Sequence, residues 1–280
     1  MLMAASLPTS ASSPKGEYMV ALNLKIQNAN GEILAEEAGE GSIELYYRGE
    51  YAPGDQIVLT TSEHNIHIIW QVDDAIGAAM CYLTKDMTYP VPFEEKKYVY
   101  SPKAFSGQKH YLFARVAEDD EIYAYRNLAC NPNDQHKVEG CYPHASANVE
   151  TRGETVFEAK NAIDGVFANH GHGGWPHTSW GINRDPNAQM KLEFGRPVQI
   201  NHLKITLRAH FPHDSYWTEG TVTFSDGSTE VLKFQKTDRR QSFDIQPRTV
   251  EWLTFDKLIK ADDESPFPAL TQIEVFGKDM

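Results

Sequence analysis

"GTVTFSDGSTEVLKF", residues 220–234, reads as two short strands folded back on each other about Asp226-Gly227. Glycine accepts the positive φ that a tight turn between right-twisted strands demands, and the β-branched and aromatic residues on either side suit a pleated, half-buried surface. The same pattern extends to both sides: 188–195, 198–209, 241–246, 250–259 and 269–277 are further short runs of this kind. Upstream, eight more follow one another at 18–28, 42–49, 55–61, 65–74, 78–86, 96–101, 109–117 and 121–129, separated by Gly, Pro, Asn and Asp turns. In the fourth of these, Ile66, Ile68, Trp70 and Val72 recur at period two, the mark of a strand with one face buried. Only "ETVFEAKNAIDG", 154–165, suggests helix, one or two turns running into a glycine stop. The fold class expected is therefore all-β, two β-sandwiches in tandem, the first of them read as a jelly roll.

Composition bounds the rest. A chain of 280 residues, 41% hydrophobic, is about twice a typical domain and can build two ordinary cores. The divisions expected are a Ser-, Ala- and Pro-rich disordered lead at 1–16, an N-terminal sandwich at 17–130, a polar, turn-rich linker at 131–145 and a second sandwich at 146–280. A net charge of −13 with no basic cluster argues against nucleic acid and anionic membrane surfaces as partners. No apolar run approaches the roughly 20 residues that span a bilayer. The first 18 residues lack the basic region and apolar core of a secretory signal, so the expected compartment is the cytoplasm unless a signal lies upstream. Three cysteines, Cys81, Cys130 and Cys141, are too few for a disulfide scaffold and read as buried thiols, although Cys130 and Cys141 could pair under oxidising conditions. Acid-rich "AEDDE", 117–121, reads as a solvated hairpin loop whose carboxylates could also hold calcium.

The ordered set "SAN" (146–148), "NAIDG" (161–165), "TSW" (178–180), "KLEFGRPVQINHLKI" (191–205), "FSDGS" (224–228) and "IEVFG" (273–277) resembles the discoidin domain, also called the coagulation factor C-type domain. That family includes the family 32 carbohydrate-binding modules of glycan-degrading bacteria. The resemblance covers residues 142–280; none is seen for 17–130. It implies a galactose-binding-like jelly roll, a structural calcium ion near the chain ends, and a ligand site among loops at one end of the barrel. Carried over by position, the calcium ligands would be Asp164, Thr178 and Glu274, with the carbonyl of Asn161. Thirteen residues separate Asp164 from Thr178 where the family has only a few, which makes "HGHGGWPHTSWG", 170–181, part of an insertion.

Three readings compete for that insertion: a transition-metal site, a sugar-stacking loop, and a structural crossing whose glycines only let the chain turn. His170, His172 and His177, joined by His210 and His213 from the 208–217 stretch, could bind a transition metal only if the loops folded together, since no regular spacing pre-organises them. A sugar site needs an aromatic plate beside polar groups that match hydroxyls. Trp175 and Trp217 lie outside the alternating strands, and His177, Arg184, Arg208, His210, His213 and Asp214 stand beside them. His202 sits within a strand and reads as a satisfied structural residue, and Trp180 as core. No nucleophile elbow, phosphate loop, zinc-protease helix or Cys-x-x-Cys occurs. The function expected is non-catalytic glycan binding through loops at one end of the second sandwich. The alternatives are a protein-interaction module and an accessory part of a glycan-degrading enzyme. The oligomeric state is not legible.

Overall fold

The structure is a computed structural model describing residues 19–209 and 215–280; His210, His213 and Asp214 of the expected site therefore lie outside the described residues. In the first half the chain forms β1 (Ala21–Gln27), β2 (Ile33–Glu40), β3 (Ser42–Tyr47), β4 (Gln56–Thr61), β5 (Ile66–Gln71), β6 (Ala79–Leu83), β7 (Met87–Pro90) and β8 (His110–Val116). Period-two patterning decides the layers. Leu22, Leu24 and Ile26 of β1 and Ile57 and Leu59 of β4 face inward from one antiparallel sheet, ordered β2-β1-β4-β7. Ile68, Trp70, Cys81, Leu83 and Leu112 face them from the other, in which β6-β5-β8-β3 are neighbours. Burying each such aliphatic side chain contributes about 1.5–3 kcal/mol, and together they hold the two sheets face to face.

One expected strand does not form, and another is reduced to the two residues Arg126–Asn127. Residues 96–101 fall in a 3-10 turn, Glu94–Val99, because Pro90 and Pro92 have no N–H for a ladder and close β7 just upstream. Residues 121–129 begin in a one-turn helix, α1 (Asp119–Ile122), closed by a capping box between Glu118 and Glu121. Glu121 also takes a bidentate pair from Arg115 at 2.7 and 2.6 Å, so this acidic carboxylate is committed to a guanidinium.

In the second half β11 (His144–Ala147), β12 (Trp180–Gly181), β13 (Met190–Leu207), β14 (Trp217–Phe224), β15 (Thr229–Lys233), β16 (Gln241–Lys260) and β17 (Ala269–Asp279) make a second β-sandwich. Its layers are joined by strands long enough to serve both. Residues 190–193 of β13 pair with 252–255 of β16, then the register breaks, and 198–205 pair with 241–250. The first pairing lies with β11, β14 and β15, the second with β17 and β12. This is how a sandwich turns a corner. The β14–β15 hairpin forms as read, with Gly227 at φ +84°.

Between the halves the chain crosses repeatedly. β9 (Arg126–Asn127) adds to β17, β10 (Cys141–Tyr142) adds to β6 of the first sandwich, and β11 returns to β13. Gly195 at the β13 corner is required by this weave: its φ is +69°, and a Cβ there would come within 2.3 Å of the Tyr142 ring. An ion cluster stitches the same seam. Asp279 of the last strand accepts from Arg126 (2.8 Å), His67 (3.1 Å) and both Nε and Nη2 of Arg196. All three cysteines are free thiols, Cys81 reaching Asn131 Oδ1 at 3.5 Å. Among the described residues no helix is long and apolar enough to cross a membrane.

Candidate functional site

The insertion loop is drawn toward the first sandwich. Trp175 N–H donates to the carbonyl of Tyr98 at 2.8 Å, and His177 folds over Gly171, where a Cβ would lie 2.4 Å from the imidazole. The loop's polar and aromatic groups are thereby separated. Trp175, 40% exposed, borders a small cavity with Lys160 and Asp164, while His172 lines a different one. His170 approaches Asp238 at 3.5 Å. The three loop histidines thus stand in three different surroundings, because the glycines between them let the chain turn after each.

On the His172 side, at one end of the second sandwich, lies a cavity of about 290 Å³. Its walls come from the 3-10 turns Thr151–Gly153 and Thr155–Phe157, the turn after β12, the end of β13 and the segment leading into β17. Arg152, Arg184 and Arg208 all line it. Arg184 stacks over the Phe267 ring at 4.4 Å, and Arg152 lies over Phe157 at 5.5 Å and pairs with Glu154. Arg208 is 1% exposed; it donates to Ser179 Oγ at 3.1 Å and to the carbonyl of Gly171, and its Nε has no hydrogen-bond partner among the described residues. Among the described residues no carboxylate pairs with it. Burial alone pulls its pKa down to about 10, still charged at neutral pH. Burial, and then Arg208 and Arg152, lower the pKa of His172, which favours its neutral form. The cavity thus offers fixed guanidinium donors and two phenyl faces in a chain whose net charge is −13.

Of the expected ligand residues, Arg184 and Arg208 meet here, whereas Trp175 and His177 do not. Trp217 is corrected outright. It is the first residue of β14 with no exposed surface, packed between Trp180 (6.3 Å) and Phe255 (6.1 Å), so it belongs to the core and touches no ligand. Strand alternation begins at Trp217 itself, which the preceding polar residues conceal. Arg152, Phe157 and Phe267 are the contributors that sequence reasoning overlooked. "ESPFPA", 264–269, carried the signal, an aromatic between prolines outside any strand.

The expected calcium ligands separate as well. Asp164 and Thr178 lie near each other, but Glu274 is engaged elsewhere, its Oε2 3.0 Å from Arg240 Nε. Gln272, two residues earlier on β17, points at Asp164 instead. Its Nε2 donates to Asp164 Oδ1 at 2.7 Å and to the carbonyl of Asn161 at 2.8 Å, while its Oε1 accepts from Gly165 N–H at 3.0 Å. These partners determine which end of the amide is which, since a flipped amide would set oxygen against two oxygens and N–H against N–H. The point between the cage oxygens therefore receives an N–H₂ donor, and the residues present do not fit calcium. Burial raises the Asp164 pKa to about 7, against the opposing pull of the Val166 N–H, Lys160, Gln272 and Thr178.

No family model matches the chain, and no curated protein does. Solved structures are similar to about half of it. A chitosan-binding module of a chitosanase/glucanase from Paenibacillus sp. IK-5 is 20% identical with a TM-score of 0.38, covering 54% of this chain and 98% of that one. A fucose-binding module of Streptococcus pneumoniae is 11% identical with a TM-score of 0.40, covering 55% and 96%. A family 32 carbohydrate-binding module from C. perfringens, solved with galactose, is 16% identical with a TM-score of 0.36, covering 47% and 91%.

Proposed function

We propose that the second sandwich binds carbohydrate without transforming it, in the cavity between the 151–157 turns, the 181–184 turn and the 265–269 segment. The observation that carries this reading is the pairing of planar donors with apolar faces. Arg184 and the Phe267 ring stack at 4.4 Å beside the buried Arg208 fork. A pyranose presents an apolar C–H face and a ring of hydroxyls, which such a wall complements. Hydrolysis calls for two converging carboxylates. Among the described residues that line the cavity there is none, and nearby Glu154 is held by Arg152 at 2.7 Å.

A glycan array followed by calorimetric titration tests the reading. Phe267→Ala and Arg184→Ala, both at exposed positions, are expected to weaken any sugar found by about 1–3 kcal/mol each. A sugar bound equally well by both variants places the site elsewhere, and turnover of a chromogenic glycoside overturns the non-catalytic assignment.

A further inference from the structure

Away from that cavity, a cleft between the two sandwiches holds a cavity of about 650 Å³ and, behind it, one of about 410 Å³. They share a wall that includes Lys96, His136, Thr155 and Glu158. Against this wall His136 Nδ1 lies 3.4 Å from Glu150 Oε2 and 3.8 Å from Glu158 Oε1, and the three donor atoms are mutually within 4.8 Å. Those two separations are longer than N–H···O hydrogen bonds. They are close to the ~3.4 Å edge of a tetrahedral shell built at ligand distances of about 2.1 Å. Glu150 is pre-set for this role: its Oε1 accepts from the Ala159 N–H at 2.9 Å, which turns Oε2 toward His136.

Glu158 is the independent observation. It is 8% exposed, no hydrogen-bond donor among the described residues reaches its carboxylate, and that carboxylate is directed at the triad. A buried carboxylate without hydrogen bonds is costly and requires a counterpart. The ammonium groups of Lys160 and Lys96 act on it through space, but Lys160 Nζ is seated over the Tyr100 ring at 4.8 Å. Glu150 adds like charge. Two carboxylates and an imidazole converging on one point, one carboxylate reached by no hydrogen-bond donor among the described residues, match a borderline cation better than they match one another.

We propose that His136, Glu150 and Glu158 bind a divalent transition-metal ion of the zinc or manganese class at the mouth of the interdomain cleft. Three protein ligands leave a coordination position for water or a ligand group, and two of the three, His136 and Glu158, line the cavity. His136 comes from the segment between the sandwiches and the two glutamates from the start of the second, while Gln56 and Phe93 of the first sandwich form the opposite wall.

The test uses the full chain, tag-free and stripped with chelator. Equilibrium dialysis against ZnCl₂, and separately MnCl₂, with the metal counted per chain, is expected to show one tightly held ion. His136→Ala and Glu158→Gln should each weaken it at least about tenfold, while His170→Ala and His177→Ala in the insertion loop leave it unchanged. Glu158→Gln removes a buried charge at constant volume, so its metal-free melting temperature should equal or exceed that of the parent. Cobalt loading should give the visible absorption of a four- or five-coordinate ion, lost in His136→Ala. Absence of stoichiometric binding overturns the proposal. So does an ion retained by both variants, or a Glu158→Gln chain that melts earlier without metal yet binds zinc normally, which would make Glu158 only a counter-charge to Lys160.

Discussion

Replacing Gln272 by Glu should convert a hydrogen-bonded cage into a calcium site. The amide supplies three hydrogen bonds, to Asp164, Asn161 and Gly165, all between 2.7 and 3.0 Å. Glutamate keeps the bond from Gly165 and loses both donated ones, each contributing about 1 kcal/mol. It also faces the Asp164 carboxylate at close range, and two carboxylates sharing a site do not both ionise at neutral pH. Without metal, Gln272→Glu should therefore lose about 2–4 kcal/mol. Calcium at about 100 times its dissociation constant would restore about 2.7 kcal/mol, because it binds only the folded state. For a unit of this size that is roughly 5–10 °C in melting temperature. The assay is thermal melting of parent and variant in chelator and in millimolar calcium. The parent should melt at one temperature in both, and the variant should melt earlier in chelator and recover in calcium. A parent stabilised by calcium would refute the reasoning, since its amide would then have to leave the centre of the cage.

Three further outcomes follow from buried groups. Asp279→Asn removes the charge and one of the two acceptor oxygens that serve Arg126, Arg196 and His67 and should cost about 3–5 kcal/mol by urea unfolding, because it leaves two guanidinium groups at the seam without their counter-charge. Burial opposes ionisation of Asp279, but the bonds from His67, Arg196 and Arg126 hold its carboxyl far below the usual range. Its contribution is present above the unfolded value near ~3.9 and is lost as pH falls through the lower folded one; melting below pH 4 should show the loss, and Asp279→Asn should abolish it. Asp164 has the opposite sign. Its pKa, raised to about 7 chiefly by burial, means stability present below the unfolded value and lost as pH rises toward and through 7, a slope that Asp164→Asn should flatten. Trp217→Ala should cost about 3–5 kcal/mol and impair glycan binding only through unfolding, whereas Phe267→Ala should impair binding with an unchanged melt.

Period-two patterning carried the fold class because it reports directly which face of a strand is buried, and burial is the largest favourable term in folding. Residues 66–71 and the Asp226-Gly227 hairpin formed as read. The misread stretches, 96–101 and the start of 121–129, have strand-like composition, but neighbouring prolines and a capping box outrank intrinsic preference there. The candidate site was legible only in part. Arg184 and Arg208 stood out as charges among loop residues, but an exposed tryptophan and one at a strand start look alike in sequence, and Trp217 proved to be core.

What the sequence by itself determined about this protein is local: strands and their inward faces, turns at Asp-Gly, a net charge of −13 and a length sufficient for two cores. What only the tertiary structure decided is which distant residues share a point in space. Gln272 rather than Glu274 reaches Asp164 through the register of β17 on β13. His136 meets Glu150 and Glu158 because the chain crosses from one sandwich to the other and back. Phe267 meets Arg184 because the segment before β17 folds over the end of the barrel. Those meetings depend on register and chain path, which are set by packing summed over whole sheets, and no short stretch of sequence encodes that sum.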